Sequence, residues 1–204
     1  MDPFTVLTGV AAPLARENVD TDVIIPIPRL VSLGHVDLGH WAFEALRYNK
    51  DGSENPEFVL NQPRYRGAVV LIAHRNFGCG SSREGAVWAI KGMGIRCVIA
   101  PSFGDIFFSN CFQNSVLPIV LPQAEIDRLM EEARTSTAGA AFAIDLEARE
   151  IRTPGQRTVP FQVDPNRRAA LLKGLDPIQT TLLREPEIAA FQQRDRQARP
   201  WVYE

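Results

Sequence analysis

The chain has 204 residues, 45% of them hydrophobic and 23% charged, and a formal net charge of −2. That is the composition of a soluble globular protein long enough to bury a full core. So small a charge gives no electrostatic reason to expect nucleic acid or an anionic membrane as partner, and no apolar run approaches the ~20 residues needed to span a bilayer.

The three cysteines, Cys79, Cys97 and Cys111, are an odd number without a close pair. This argues against a disulfide framework and against a Cys-x-x-Cys metal or cluster site. Met1-Asp2-Pro3-Phe4 shows no basic-then-apolar leader, and a reducing cytoplasm is the simplest setting.

Taken in chain order, Phe4 to Val10 alternates apolar and small residues and predicts a strand. Residues 13–22 are polar and end in Asn18-Val19-Asp20-Thr21-Asp22, a cluster of turn and cap formers. Val23-Ile24-Ile25 reads as a short strand closed by Pro26 and Pro28. Residues 29–40 read as a loop, and Trp41 to Tyr48 carries its apolar residues on one helical face. An exposed excursion follows over 49–63, with a strand-like centre at Phe58-Val59-Leu60.

The middle of the chain is the most regular. A buried strand over 68–73 turns through 76–84 into a helix over 86–91. A second strand over 95–100, a short helix over 104–112 and a third strand over 116–121 complete a parallel βαβαβ unit. Ligands of such units sit at the carboxyl ends of the strands.

Gln123 to Thr135 predicts an amphipathic helix, with Ile126, Leu129, Met130 and Ala133 on one stripe. Residues 142–146 and 150–152 suit a hairpin, with 158–163 as a third strand. Asp164 then caps a helix that runs to Lys173 and stops at Gly174. A charged helix over 185–199 ends in aromatics expected to pin the tail to the body. The expectation is one α/β domain over residues 1–204, with a core to about 163 and a helical C-terminal extension over about 164–204.

The turn Gly78-Cys79-Gly80-Ser81-Ser82-Arg83-Glu84 lies at such a carboxyl end. Its glycines permit close backbone approach and inward-facing N–H groups, an anion nest. Ser81 followed by Glu84 fits a capping box, which would set both serines at a positively polarised helix N-terminus. Arg83 adds a forked cation suited to a carboxylate or phosphate. The plainer reading of the same residues is a capped helix with Arg83 facing water. A dinucleotide fingerprint lacks its third glycine, a P-loop lacks Gly-Lys-Ser/Thr, and no Gly-x-Ser-x-Gly elbow is present.

Asn76-Phe77-Gly78-Cys79-Gly80-Ser81-Ser82-Arg83-Glu84 resembles the signature of the swivel domain of the aconitase superfamily. It is most similar to the small-subunit family of the bacterial isopropylmalate isomerases. Asn18 to Pro26, Asn55 to Gly67, Val98 to Phe107, the stretch around 114–121 and Gly174-Leu175-Asp176 resemble that family in the same order.

The resemblance implies a swivelling β/β/α domain and a hydro-lyase reaction in leucine biosynthesis, interconverting 2- and 3-isopropylmalate through isopropylmaleate. It implies a large-subunit partner that carries a four-iron iron–sulfur cluster, with no cofactor or metal on this chain. By position, Ser81 matches the catalytic base. Ser82 and Arg83, with Gly80 beside them, match the contacts to a substrate carboxylate. Asp22 matches an aspartate on the proton-transfer side, and residues 27–40 border the substrate's variable side chain. Cys79 would then be a small packed residue of the turn.

The chain departs from the family pattern beside that site. Gly85 stands where the family has histidine. Arg29 and His35 are the only basic residues over 27–36, and His74-Arg75 precedes Asn76 where arginine and glutamate are expected. These departures leave open a related subunit acting on another small malate, of the citramalate or dimethylmalate type, or a catalytically impaired partner-binding subunit. His35, His40 and His74 are scattered, which suits surface or core roles rather than metal ligation.

Overall fold

Two four-stranded sheets share the chain's first apolar stretch, which forms two strands rather than the single one expected. In the computed structural model, which describes residues 1–33 and 36–203, β1 (Val6–Gly9) pairs antiparallel with a C-terminal hairpin. The next strand, β2 (Ala11–Leu14), pairs parallel in the central sheet. Val10 is the crossing point, its carbonyl accepting from the N–H groups of Val69 and Val70. The small, fully buried residues of β2 carry no alternation, so periodicity alone does not reveal a strand there.

Residues 20–48 differ most from expectation. Val23-Ile24-Ile25 is not a strand: α1 (Thr21–Ile24) is a single turn whose cap, Asp20, accepts a 2.7 Å bond from Val23 N–H. That cap and the complete burial of Ile24 and Ile25 outweigh the strand preference of β-branched residues.

The expected loop holds α2 (Ile27–Leu33) and α3 (Leu38–Trp41), with Gly34 and His35 outside the described residues. Phe43, buried in a left-handed conformation at φ 58°, separates α3 from α4 (Glu44–Arg47) and so divides the helix predicted over 41–48. Arg29 of α2 lies 3.4 Å over the Trp41 ring and 2.6 Å from Glu44, tying the three short helices together. Phe58-Val59-Leu60 is likewise no strand but leads a 3-10 turn over Val59–Asn61.

The central unit follows the sequence. β3 (Val70–Ala73), α5 (Gly85–Gly92), β4 (Cys97–Ala100), α6 (Asp105–Gln113) and β5 (Leu117–Val120) alternate, giving a parallel sheet of order β2-β3-β4-β5. Leu71, Ala73, Val98 and Ala100 face Ala86, Val87, Ala89 and Ile90 of α5. Val70, Ile72, Cys97 and Ile99 face the other way, towards Ile126, Leu129 and Met130 of α7 (Gln123–Thr135). Both faces are buried, which is why these strands read as unbroken apolar runs.

The same second core takes in the antiparallel sheet, order β1-β6-β7-β8, built with β6 (Phe142–Asp145), β7 (Glu150–Arg152) and β8 (Thr158–Pro160). Layers of helix, parallel sheet, and helix with antiparallel sheet are the β/β/α arrangement expected.

α8 (Pro165–Lys173) is capped by Asp164 and ends at Gly174 in the left-handed region. Its Leu171 is buried in the second core. Beyond it, α9 (Pro177–Leu182) closes a capping box between Asp176 and Gln179, and α10 (Glu185–Ala198) has no buried residue. The terminal aromatics do not pin the tail to the body: Tyr203 O–H donates to Asp195 of α10 at 2.8 Å, and Trp201 is exposed. No described helix is long and apolar enough to cross a membrane.

Candidate active site

Beyond the ends of β2 and β3 the two chain segments continue side by side. Asn18 N–H donates to the Arg75 carbonyl, Gly78 N–H to Val19 and Thr21 N–H to Cys79, at 2.7–3.0 Å, with Asp20 bridged to Cys79 in parallel register. Asn18 and Asn76 both take left-handed conformations, φ 52° and 62°, and their side chains bond each other at 2.8 Å. Asparagine tolerates that region because its short amide can bond locally.

Glycine is required at position 78, where φ is 73° and an added Cβ would lie 2.2 Å from the Phe107 ring. At Gly80, φ 100° is a conformation that L side chains rarely adopt. These constraints turn the chain so that Ser81 meets the start of α1.

Ser81 Oγ lies 2.7 Å from Thr21 Oγ1. It also accepts from the backbone N–H of Arg83 at 3.3 Å. The Arg83 guanidinium is paired through Nη2 with Asp22 Oδ2 at 2.7 Å and reaches Thr21 Oγ1 at 3.4 Å. Its Nε is buried and finds no acceptor among the described residues, so the guanidinium is incompletely satisfied within the chain.

Ser81, Arg83 and Asp22 therefore come together. Ser82 is exposed beside them, and Gly80 supplies the backbone turn. Asp22 touches Arg83, whereas Thr21 is the residue that touches Ser81. Thr21 is 1% exposed, and its place in the Asp-Thr-Asp run gave no more than a cap-and-turn signal.

The capping box expected between Ser81 and Glu84 does not form. α5 begins at Gly85, and Glu84, in helical conformation, stands at the cap without a side-chain bond to the helix. Glu84 accepts instead from Asn114 Nδ2 at 2.7 Å, and Asn114 Oδ1 accepts from the Trp88 indole N–H at 3.0 Å. Ser81 stands ahead of the first turn, where the helix dipole has fallen off. Its polar surroundings come mainly from Thr21 and Arg83.

The cysteines do not fit an iron–sulfur cluster. Cys97 and Cys111 are buried, and burial pushes both thiols up, away from the thiolate a metal needs. Cys79 is a free, half-buried thiol in the turn. Among the described residues no group of three or more His, Cys, Asp or Glu could hold a metal ion. His74 contacts Gln123, and His40 packs edge-on to Trp41.

The family model of the aconitase C-terminal domain matches residues 1–124, and a second, described as LeuD_N, matches residues 127–165. The 3-isopropylmalate dehydratase small subunit of Parvibaculum lavamentivorans is 52% identical over 202 residues, covering 99% of this chain and 100% of that protein. The protein of the same name from Rhodospirillum centenum is 53% identical, with 99% of each chain covered. Among solved structures, 3-isopropylmalate dehydratase of Methanocaldococcus jannaschii superposes with a TM-score of 0.65 at 28% identity, over 92% of this chain and 99% of that one. With both the signature turn and the layered fold in place, this chain belongs to the aconitase C-terminal domain family, among its 3-isopropylmalate dehydratase small subunits.

Proposed function

We propose that this chain is the small-subunit half of a hydro-lyase that interconverts 2- and 3-isopropylmalate through isopropylmaleate in leucine biosynthesis. Full-length identity to proteins named for that subunit carries the reading and favours it over a citramalate- or dimethylmalate-type substrate or an impaired subunit. Residues 1–204 act as one swivel-type domain in the cytoplasm. Their partner is a large subunit that carries the four-iron cluster, in a heterodimer or higher assembly.

On this chain, Ser81 as alkoxide takes the proton from the carbon next to a substrate carboxylate. The C–H electron pair becomes the new double bond and hydroxide leaves on the partner's side. Rehydration reverses these events with proton and hydroxyl exchanged between the two carbons. A proton so weakly acidic needs a base whose charged form is stabilised by fixed donors, and the Arg83 backbone N–H, 3.3 Å from Ser81 Oγ, supplies one there.

Arg83 clamps the carboxylate, helped by Ser82 and the Gly80 backbone. Asp22 holds the guanidinium in place until substrate arrives. The unsatisfied Arg83 fork supports this assignment.

The test is the complex co-expressed with its large subunit, assayed by the absorbance of isopropylmaleate. Ser81→Ala is expected to abolish the signal while the two subunits still co-purify. Turnover retained in Ser81→Ala would remove the base from the mechanism.

A further inference from the structure

We infer that Thr21 is a positioning residue for Ser81, its buried hydroxyl donating a hydrogen bond that orients the serine and stabilises its alkoxide. The inference rests on the reading of Ser81 as base and goes beyond it by naming what makes that base competent.

Three observations carry it. The Thr21–Ser81 contact is 2.7 Å, a full-strength distance between hydroxyls. Thr21 is 1% exposed, so water does not compete for its hydroxyl. An Arg83 guanidinium N–H also reaches the Thr21 oxygen, at the longer distance of 3.4 Å. A guanidinium cannot accept, so this contact occupies an acceptor lobe of Thr21 and leaves the threonine proton for Ser81.

With the Arg83 backbone N–H as a second donor at 3.3 Å, Ser81 Oγ sits in a small oxyanion hole of its own. Beside it Arg83 and Asp22 pair with each other, and Asp20, which lies against Gly80, has one carboxylate oxygen accepting from Val23 N–H. Since the first turn of α5 begins only at Gly85, the Thr21 hydroxyl replaces the dipole that a capped serine would have used. The Ser81 proton passes to water when the alkoxide forms. The alkoxide then takes the substrate's proton, while Thr21 keeps its own throughout.

The experiment compares Thr21→Val, which keeps the branched shape, with Thr21→Ser, which keeps the hydroxyl, both in the co-expressed two-subunit complex. A charged-acceptor hydrogen bond used by the base predicts that Thr21→Val loses roughly 10- to 100-fold in kcat, with KM changed by less than about threefold. The rising limb of its kcat–pH profile should move to higher pH, because the alkoxide has lost a donor. Thr21→Ser should stay within about threefold of the parent in kcat.

Thr21→Val activity within about twofold of the parent with an unmoved pH profile overturns the proposal. So does a Thr21→Ser variant as impaired as Thr21→Val, since the methyl group rather than the hydroxyl would then matter. If Thr21→Val does not assemble, Thr21→Ala in the same space gives the same comparison with Thr21→Ser. The Ser81→Ala control separates the two levels. A dead Ser81→Ala with a fully active Thr21→Val sinks the role of Thr21 alone, whereas an active Ser81→Ala sinks the underlying reading.

Discussion

Gly85 opens α5, and the packing around it makes a quantitative prediction. An added Cβ would lie 2.3 Å from Leu30 Cδ2 and 3.0 Å from Cδ1, far inside the ~3.5–4.0 Å optimum for carbon atoms. Gly→Ala in a helix ordinarily gains up to ~1 kcal/mol, while overpacking of this kind costs about 1–3 kcal/mol. Leu30 is only partly buried, so it can yield by changing rotamer, and the two effects together leave a net loss for Gly85→Ala of roughly 0–2 kcal/mol. At about 2–4 °C per kcal/mol for a chain of this size, Tm should fall by no more than roughly 8 °C.

In a Leu30→Ala background the obstructing methyls are gone, and Gly85→Ala should instead be neutral or stabilising by up to ~1 kcal/mol. Urea denaturation of the four proteins gives the cycle, with a coupling of about 1–3 kcal/mol expected. Equal effects of Gly85→Ala in both backgrounds would refute the idea that Leu30 of α2 occupies the volume a side chain at 85 would need. Gly85→His meets the same obstruction. Its Cβ meets Leu30 before its ring does, so histidine at 85 requires Leu30 to move or to be shortened.

Two further predictions concern the frame around the site. The hydrogen bond from Arg29 and, to a lesser degree, its charge hold the Glu44 carboxyl below its ordinary value near 4.5. A depressed carboxylate contributes stability that is present above the unfolded value and lost as pH falls through the folded one. Glu44→Gln should therefore lower Tm at neutral pH and draw level with the parent in acid; a constant gap down to about pH 3 would contradict this. Deleting residues 185–204 should change the Tm of the chain by no more than about 2 °C, because α10 has no buried residue. A fall of more than about 5 °C would mean that the tail packs on the body after all.

The parts of the fold legible in the sequence are those in which one local rule and the final packing agree. The runs that became β3 and β4 lie between two cores, so continuous hydrophobicity was a faithful signal. Asp164 and Gly174 bound α8 because both cap chemistries act within a few residues. Val23-Ile24-Ile25 misled because its preference for strand is weaker than an Asp20 cap together with the complete burial of Ile24 and Ile25, with α1 packed against α4 and α5.

The same distinction separates what could and could not be read of the site. The glycines at 78 and 80 were visible, since their backbone demands are local. Ser81-x-x-Glu84 matched a capping pattern yet made none of its bonds. Ser81 bonds Thr21, 60 residues earlier, and Glu84 bonds Asn114, 30 residues later. No windowed rule could weigh those partners: Thr21 arrives through the parallel pairing of residues 18–21 with 75–79 beyond the sheet, and Asn114 through the packing of the end of α6 on α5. The proposed base is thus set by two chain segments meeting beyond the sheet, rather than by the start of α5. Its reactivity should accordingly follow the Thr21 hydroxyl more closely than any change confined to the N-terminus of α5.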